Sequence, residues 1–243
     1  MRIGMVLDDV FPPDPRVENE AISLINSGHK VFLFCLSYGQ QKRHETINNI
    51  EIRRYKSTKF IYKLSALSYD LSLYRMIMTP KISHFIKENA IDVLHIHDIR
   101  IAGAVFSSNK KHQLKIVLDL HDNIPENMKF YPHLQKFPGK YIISPKKWKK
   151  KEKEFILKSD KIITVSPNFA KDIIKNSKVR LFMVEDQYQL AKFIKINSKL
   201  FEFNSYNFII NLGLSVSLNA YLNALVIISD IIKPNEIAKS NLI

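Results

Sequence analysis

Over its first 185 residues the chain repeats one unit: a short run that is apolar nearly throughout, a turn, then an amphipathic segment. Lys115-Ile116-Val117-Leu118 and Lys161-Ile162-Ile163-Thr164-Val165 show the run at its plainest. A strand without polar alternation needs cover on both faces, which is the environment of a parallel sheet. The pattern places strands at 2–7, 31–36, 50–54, 92–97, 115–120, 161–165 and 179–184, with helices near 66–90, 99–109, 146–159 and 167–177. The first helix is the clearest. Asp14 supplies an N-cap acceptor and Pro15 takes the first helical position. Glu18 and Glu20 follow in the early turns, where the helix dipole favours acids. Val17, Ala21, Leu24 and Ile25 mark one face, and Gly28 stops the helix before the strand at Val31. Strand alternating with helix defines an α/β, doubly wound parallel sheet with right-handed crossovers.

Such a sheet holds its ligands at the carboxyl ends of its strands, and titratable residues recur there. Asp8-Asp9 and Asp14 follow the first strand, His95-Ile96-His97-Asp98 closes the fourth, and Asp119-Leu120-His121-Asp122 closes the fifth. His95 and His97 lie two residues apart on a strand and share a side, which suits joint ligation. No complete metal signature accompanies them, so no metal is expected; hydrogen bonding within the fold and contact with a sugar or phosphate both stay open. The six glycines are too scattered for a G-x-G-x-x-G or P-loop cradle, which argues against a dinucleotide dehydrogenase or a P-loop NTPase. Cys35, the single cysteine, sits inside Val31-Phe32-Leu33-Phe34-Cys35-Leu36 and reads as a small core residue in a reducing, cytoplasmic setting. No serine lies in a nucleophile elbow.

Net charge is +14, and residues 140–199 hold 16 Lys/Arg against 6 Asp/Glu. That field favours an anionic partner. Within it, Lys146, Lys147, Trp148, Lys149 and Lys150 open a helix on which Trp148, Phe155 and Ile156 share a face, the arrangement of an interfacial helix on an anionic membrane. A solvated helix with one core anchor is the alternative. Nucleic acid is not expected, because aromatics for base stacking are not interleaved with the lysines. The chain runs from Met1-Arg2 straight into its first strand, so no signal peptide is expected. Residues 203–229 carry no charge, but five asparagines and Gly213 argue for a strand and a helix at 218–232 rather than a membrane span.

Taken in order, these landmarks resemble glycosyltransferase family 4. The opening Phe11-Pro12-Pro13-Asp14-Pro15-Arg16-Val17-Glu18-Asn19-Glu20-Ala21 with Gly28-His29-Lys30-Val31, the two strand-end motifs His95-Ile96-His97-Asp98 and Asp119-Leu120-His121-Asp122-Asn123-Ile124-Pro125-Glu126, and the passage from Lys153-Glu154-Phe155-Ile156 to Val165-Ser166 carry the resemblance over roughly residues 1–185. It implies a Rossmann-like GT-B N-terminal domain that receives an acceptor, paired with a second domain that grips a nucleotide-sugar as co-substrate. Members transfer a sugar with retention, usually without metal or other cofactor, and many build surface polysaccharides or glycolipids at the cytoplasmic membrane face. His121 matches the family's cleft histidine near the reacting centre. Asp14, Arg16, His97, Asp98, Arg100, Asp122 and Glu126 would line the same rim, on the acceptor side.

The resemblance also carries a departure. The donor domain of the family holds two glutamates separated by seven residues, and no glutamate pair here has that spacing. The expected organisation is therefore a GT-B N-terminal domain at 1–185, a linker or irregular segment at 186–206, and at 207–243 a remnant of the start of a C-terminal domain. On that reading the chain transfers no sugar at a useful rate by itself. It is a truncated transferase, the acceptor and membrane subunit of a split enzyme with a donor-domain partner chain, or a non-catalytic module for anionic lipid or glycan.

Overall fold

A computed structural model describes residues 1–137 and 139–164, together with 169–170, 173 and 208–210. Eight strands form one sheet: β1 (Arg2–Val10), β2 (Lys30–Ser37), β3 (His44–Ile47), β4 (Ile50–Lys56), β5 (Val93–His97), β6 (Lys115–Leu120), β7 (Lys161–Thr164) and β8 (Phe208–Ile210). Their order is β3-β4-β2-β1-β5-β6-β7-β8, and the pairs are parallel except for β3 with β4. The order turns back at β1, between β2 and β5, which is where such a sheet opens a crevice for a ligand.

The helices are α1 (Pro15–Asn26), α2 (Lys59–Ser65), α3 (Leu73–Glu88), α4 (Ile99–His112), the short α5 (Ile124–Asn127), α6 (Pro132–Gln135) and α7 (Gly139–Ile142), and α8 (Pro145–Lys158). The start and stop of α1 are set locally. Asp14 accepts from the backbone N–H groups of Arg16 and Val17. At the other end Gly28 takes φ +83°, so its N–H reaches Ile25 and that of His29 reaches Leu24, closing a Schellman motif.

Each face of the sheet has its own core. On one, Val17, Ala21 and Leu24 of α1 pack on Met5, Leu33 and Ile52. On the other, Tyr74, Met78 and Ile82 of α3, Ala102 and Val105 of α4, and Trp148 and Phe155 of α8 pack on Phe34, Ile96 and Leu118. Burial on both sides is why β1, β2, β5 and β6 read as continuous apolar runs.

Several boundaries differ from the sequence reading. The helix expected at 66–90 starts later, as α3 at Leu73, and a separate helix, α2, capped by Thr58, precedes it; in the turn between them Asp70 accepts from the Ser144 N–H (3.2 Å) and pairs with Lys147 (3.3 Å). Strand β3 had no counterpart. It exists because Asn48 and Asn49, both at positive φ, form a two-residue hairpin turn that returns the chain onto β4. The strand expected at 207–212 is present as β8, but it pairs parallel with β7 and so extends this sheet rather than opening another. Of the helix expected at 167–177, residues 169–170 and 173 are helical. The strand at 179–184, the linker at 186–206 and the rest of 207–243, including the helix at 218–232, lie outside the described residues. Among the described residues, no helix is long and apolar enough to cross a membrane.

Candidate active site

The cleft residues come from strand ends that the parallel sheet sets side by side. Backbone pairing aligns Leu7 with His97 and His97 with Asp119, so the ends of β1, β5 and β6 form one rim. His121 sits just past β6, almost wholly enclosed. Its Nε2 lies 2.9 Å from Asp119 Oδ2 and 3.3 Å from His97 Nδ1. The His97 and His121 rings are parallel to within 4°. Burial alone would lower the His121 pKa; the Asp119 carboxylate reverses this and holds it at about 9. Burial likewise works to raise Asp119, but the His121 charge and the hydrogen bonds from His121 and His97 keep its carboxylate well below the usual range. His95 and His97 are pushed down, first by burial.

The rim continues through α4. Asp98 stands at its N-cap with φ +69°, a conformation that is costly for a non-glycine residue and is seen most often at functional positions. Its N–H donates to the Asp119 carbonyl (2.8 Å), and its carboxyl, with Oδ1 buried and unpartnered, is raised by that burial. Arg100 reaches back to β1, its Nε 3.8 Å from Asp8 Oδ2, and spreads over the Tyr62 ring at 5.7 Å. Burial drives the Asp8 carboxyl up to about 7 against the pull of Arg100, while the Tyr74 hydroxyl bonds to it. Asp14 and Arg16 pair with each other at 3.2 Å at the mouth of the same crevice, and Arg16 is half-exposed there.

His97, Asp98, Arg100, His121, Asp14 and Arg16 thus gather at one rim. Asp122, just past β6, and Glu126, in α5, take less part: Asp122 is exposed, and Glu126 is turned onto Lys129. Three contributors carried no assigned role in the sequence: Asp8 and Asp119, which it places only among the titratable strand ends, and Glu20. Asp119 is two residues from His121 and so on the same side of the strand, a signal that was available. Glu20 was not readable, because an acid in the second turn of a helix is ordinary, yet here it is only 3% exposed and reaches His95 at 3.5 Å.

The lysine segment of α8 is corrected in one respect. Trp148 is only 2% exposed, set edge-on to Tyr69 at 4.8 Å in the core beside Phe155. It anchors the helix and does not face outward, because α4 and the 66–72 turn need an apolar cover at that point. Lys146, Lys147 and Lys150 are exposed, and Lys149 pairs with Glu152 at 2.8 Å. Lys146, Lys149, Lys150 and Lys153 line an open cavity of about 390 Å³ against Ile156 and Ile173.

Fold and rim together define a doubly wound Rossmann-like domain of the GT-B type, with a cluster of titratable residues at its strand ends. The chain belongs to glycosyltransferase family 4, whose model matches residues 16–181. Sucrose-phosphate synthase from Thermosynechococcus elongatus shares the fold at a TM-score of 0.53 and 11% identity, over 72% of this chain and 44% of that one. A second structure of that synthase matches at 0.51 and 10% identity, over 94% of this chain and 96% of its own. A stretch of 28 residues is 96% identical to UDP-N-acetylmuramate–L-alanine ligase of Pelagibacter ubique, which amounts to 12% of this chain and 6% of the ligase. The chain therefore spans less than half of the length of the first synthase structure and a small part of the ligase.

Proposed function

We propose that this chain provides the acceptor side of a retaining glycosyltransferase that takes its sugar from a nucleotide-sugar. The observation that carries the reading is His121, fixed at the end of β6 by Asp119 at 2.9 Å within a domain matched by the family model. With Nε2 committed to Asp119, the imidazole has one orientation and no freedom to turn away. Orientation of this kind is what a group beside a reacting sugar contributes, since a misplaced donor or hydrogen-bonding partner loses most of its effect. Asp98, Arg100 and Arg16 offer the acceptor a carboxylate and two guanidinium groups, a set that suits sugar hydroxyls flanked by an anionic group. The residues that grip the nucleotide diphosphate and sugar come from a second half, in the same polypeptide or in a partner chain. No metal or redox cofactor enters the transfer step.

The acceptor on this reading is a lipid-linked or surface glycan, met at the inner face of an anionic membrane. Phe130, Phe137 and Tyr141 are each more than three-quarters exposed and alternate with Lys129, Lys136 and Lys140. Together with the outward lysines of α8 they supply what the buried Trp148 does not. A non-catalytic module for anionic glycan or lipid is the second reading, favoured by the lysine-lined cavity along α8.

The test is transfer from a panel of nucleotide-sugars to lipid-linked acceptors, with the donor half present in cis or as a second chain. His121→Ala is expected to lose about 100-fold or more in turnover. Transfer that survives in His121→Ala would overturn the assignment. Vesicle binding without transfer in any pairing would select the module.

A further inference from the structure

Beneath the cleft, four side chains from three elements converge. Glu20 comes from α1, His95 and His97 from one side of β5, and Asp119 from β6; none is more than 3% exposed. His95 Nε2 lies 3.5 Å from Glu20 Oε2 and 3.8 Å from Asp119 Oδ2. His97 Nδ1 lies 3.9 and 3.4 Å from the same two oxygens. One ligand-type atom from each residue falls within 4.8 Å of all the others.

The spacing separates two explanations. A hydrogen-bonded cluster brings N and O to about 2.7–3.2 Å. Ligands at the corners of a tetrahedron, with bonds of about 2.0–2.1 Å to a central ion, stand about 3.3–3.4 Å apart. The four nitrogen–oxygen edges here run from 3.4 to 3.9 Å. Three of them are too long for hydrogen bonds, His97 to Asp119 at 3.4 Å is a long one, and the quartet as a whole, spread over as much as 4.8 Å, is more open than a filled tetrahedron. The one contact at hydrogen-bond length is His121 Nε2 to Asp119 Oδ2, which braces that carboxylate from outside the quartet. Metal-binding carboxylates and histidines are commonly oriented by such an outer partner.

A second observation points the same way. His95 Nε2, one of the four converging atoms, is sealed from solvent and has no hydrogen-bond partner. A buried polar atom left so is costly, and a cation between the imidazoles and carboxylates would remove that cost. Two imidazole nitrogens and two carboxylate oxygens suit a borderline divalent ion, whereas calcium and magnesium prefer oxygen alone.

We propose that Glu20, His95, His97 and Asp119 form a closed, structural site for a zinc-type divalent cation that ties α1 to β5 and β6. With four protein ligands and no open position, the ion takes no part in sugar transfer. It fixes the floor on which His121 stands. This inference does not depend on the transferase reading, because its readouts are metal content and stability.

The full chain, purified without chelator, is expected to carry about one zinc per molecule, since a metal bound in the folded state only is bound with the folding free energy. Unfolding in chelator and refolding with cobalt(II) should give the visible absorption of a tetrahedral ion. Glu20→Gln and His95→Ala should each lose the stoichiometric metal and the rise in melting temperature that zinc gives the wild type. The pair His44→Ala/His84→Ala, which removes two exposed histidines beside Glu88, should leave metal content unchanged. If Glu20→Gln or His95→Ala fails to fold, the cobalt spectrum of the wild type decides alone. Substoichiometric metal after refolding with zinc or cobalt, with melting unaffected by chelator, would sink the site. So would metal that follows His44 and His84.

Discussion

Two regions of this protein hold most of its clustered charge, and they use it in opposite ways. At the ends of β1, β5 and β6, Asp8, Asp119, His97 and His121 are at most 5% exposed and meet a few fixed partners. Along α8, Lys146, Lys147 and Lys150 project into solvent from a helix whose apolar side, Trp148, Phe155 and Ile156, is in the core. In the first region the low dielectric makes each partner matter, and removal of one leaves another stranded. In the second, water and salt screen each charge, so single lysines contribute little and only their sum is felt by a partner. The strand ends therefore set shape and chemistry, and the helix sets long-range attraction.

The sharpest way to break this contrast is at its most buried member. Asp119→Ala is expected to cost about 3–5 kcal/mol of stability by urea denaturation, because His121 is left enclosed without its carboxylate. A cost near zero would mean that the rim is far more open than its burial implies. Trp148→Ala should cost about 3–5 kcal/mol through the cavity it leaves beside Tyr69. Were the indole an outward, interfacial group instead, denaturation would hardly change while vesicle binding fell.

A smaller effect separates wild type from Asp8→Asn through pH. Because burial raises the folded Asp8 pKa from 3.8 to about 7, the native state keeps a proton that the unfolded chain has lost. Stability from this group is thus fully present below 3.8 and declines as pH rises through about 7. The difference across that window is at most about 4 kcal/mol, and Asp8→Asn should flatten it in denaturation curves taken from acid to neutral pH. Rising stability across the same window would contradict the burial of Asp8. At the low end, Lys150→Ala should change stability by no more than about 0.5 kcal/mol, while combined loss of Lys146, Lys147 and Lys150 should weaken binding to anionic vesicles in a salt-dependent way. Binding that ignores salt would place the attraction elsewhere.

Much of this arrangement was legible before any coordinates. Asp14-Pro15 and Gly28 fix α1 through dihedral preference and one capping carboxylate, both local effects that a short stretch of sequence carries. His95 with His97 could be placed on one side of a strand from a period of two, and the rim at the carboxyl ends followed from the parallel sheet. The Asn48-Asn49 turn is equally local, but β3, His44-Glu45-Thr46-Ile47, has no apolar run to mark it as a strand. Other features had no local sign. Whether Trp148 turns inward depends on Tyr69, which is 79 positions away. Asp70, in the turn between α2 and α3, meets Ser144 from far along the chain. Glu20 looks like any acid near a helix start until α1 is laid against β5.

The sequence by itself determined the α/β alternation, the family, and the row of histidines and acids at the strand ends, because periodicity, caps and motif order are properties of near neighbours along the chain. Only the tertiary structure decided which of those acids and histidines share one buried space, and that the lysine helix keeps its tryptophan in the core. Those outcomes depend on residues distant in sequence competing for the same volume and the same few hydrogen-bond partners, and packing alone settles that competition.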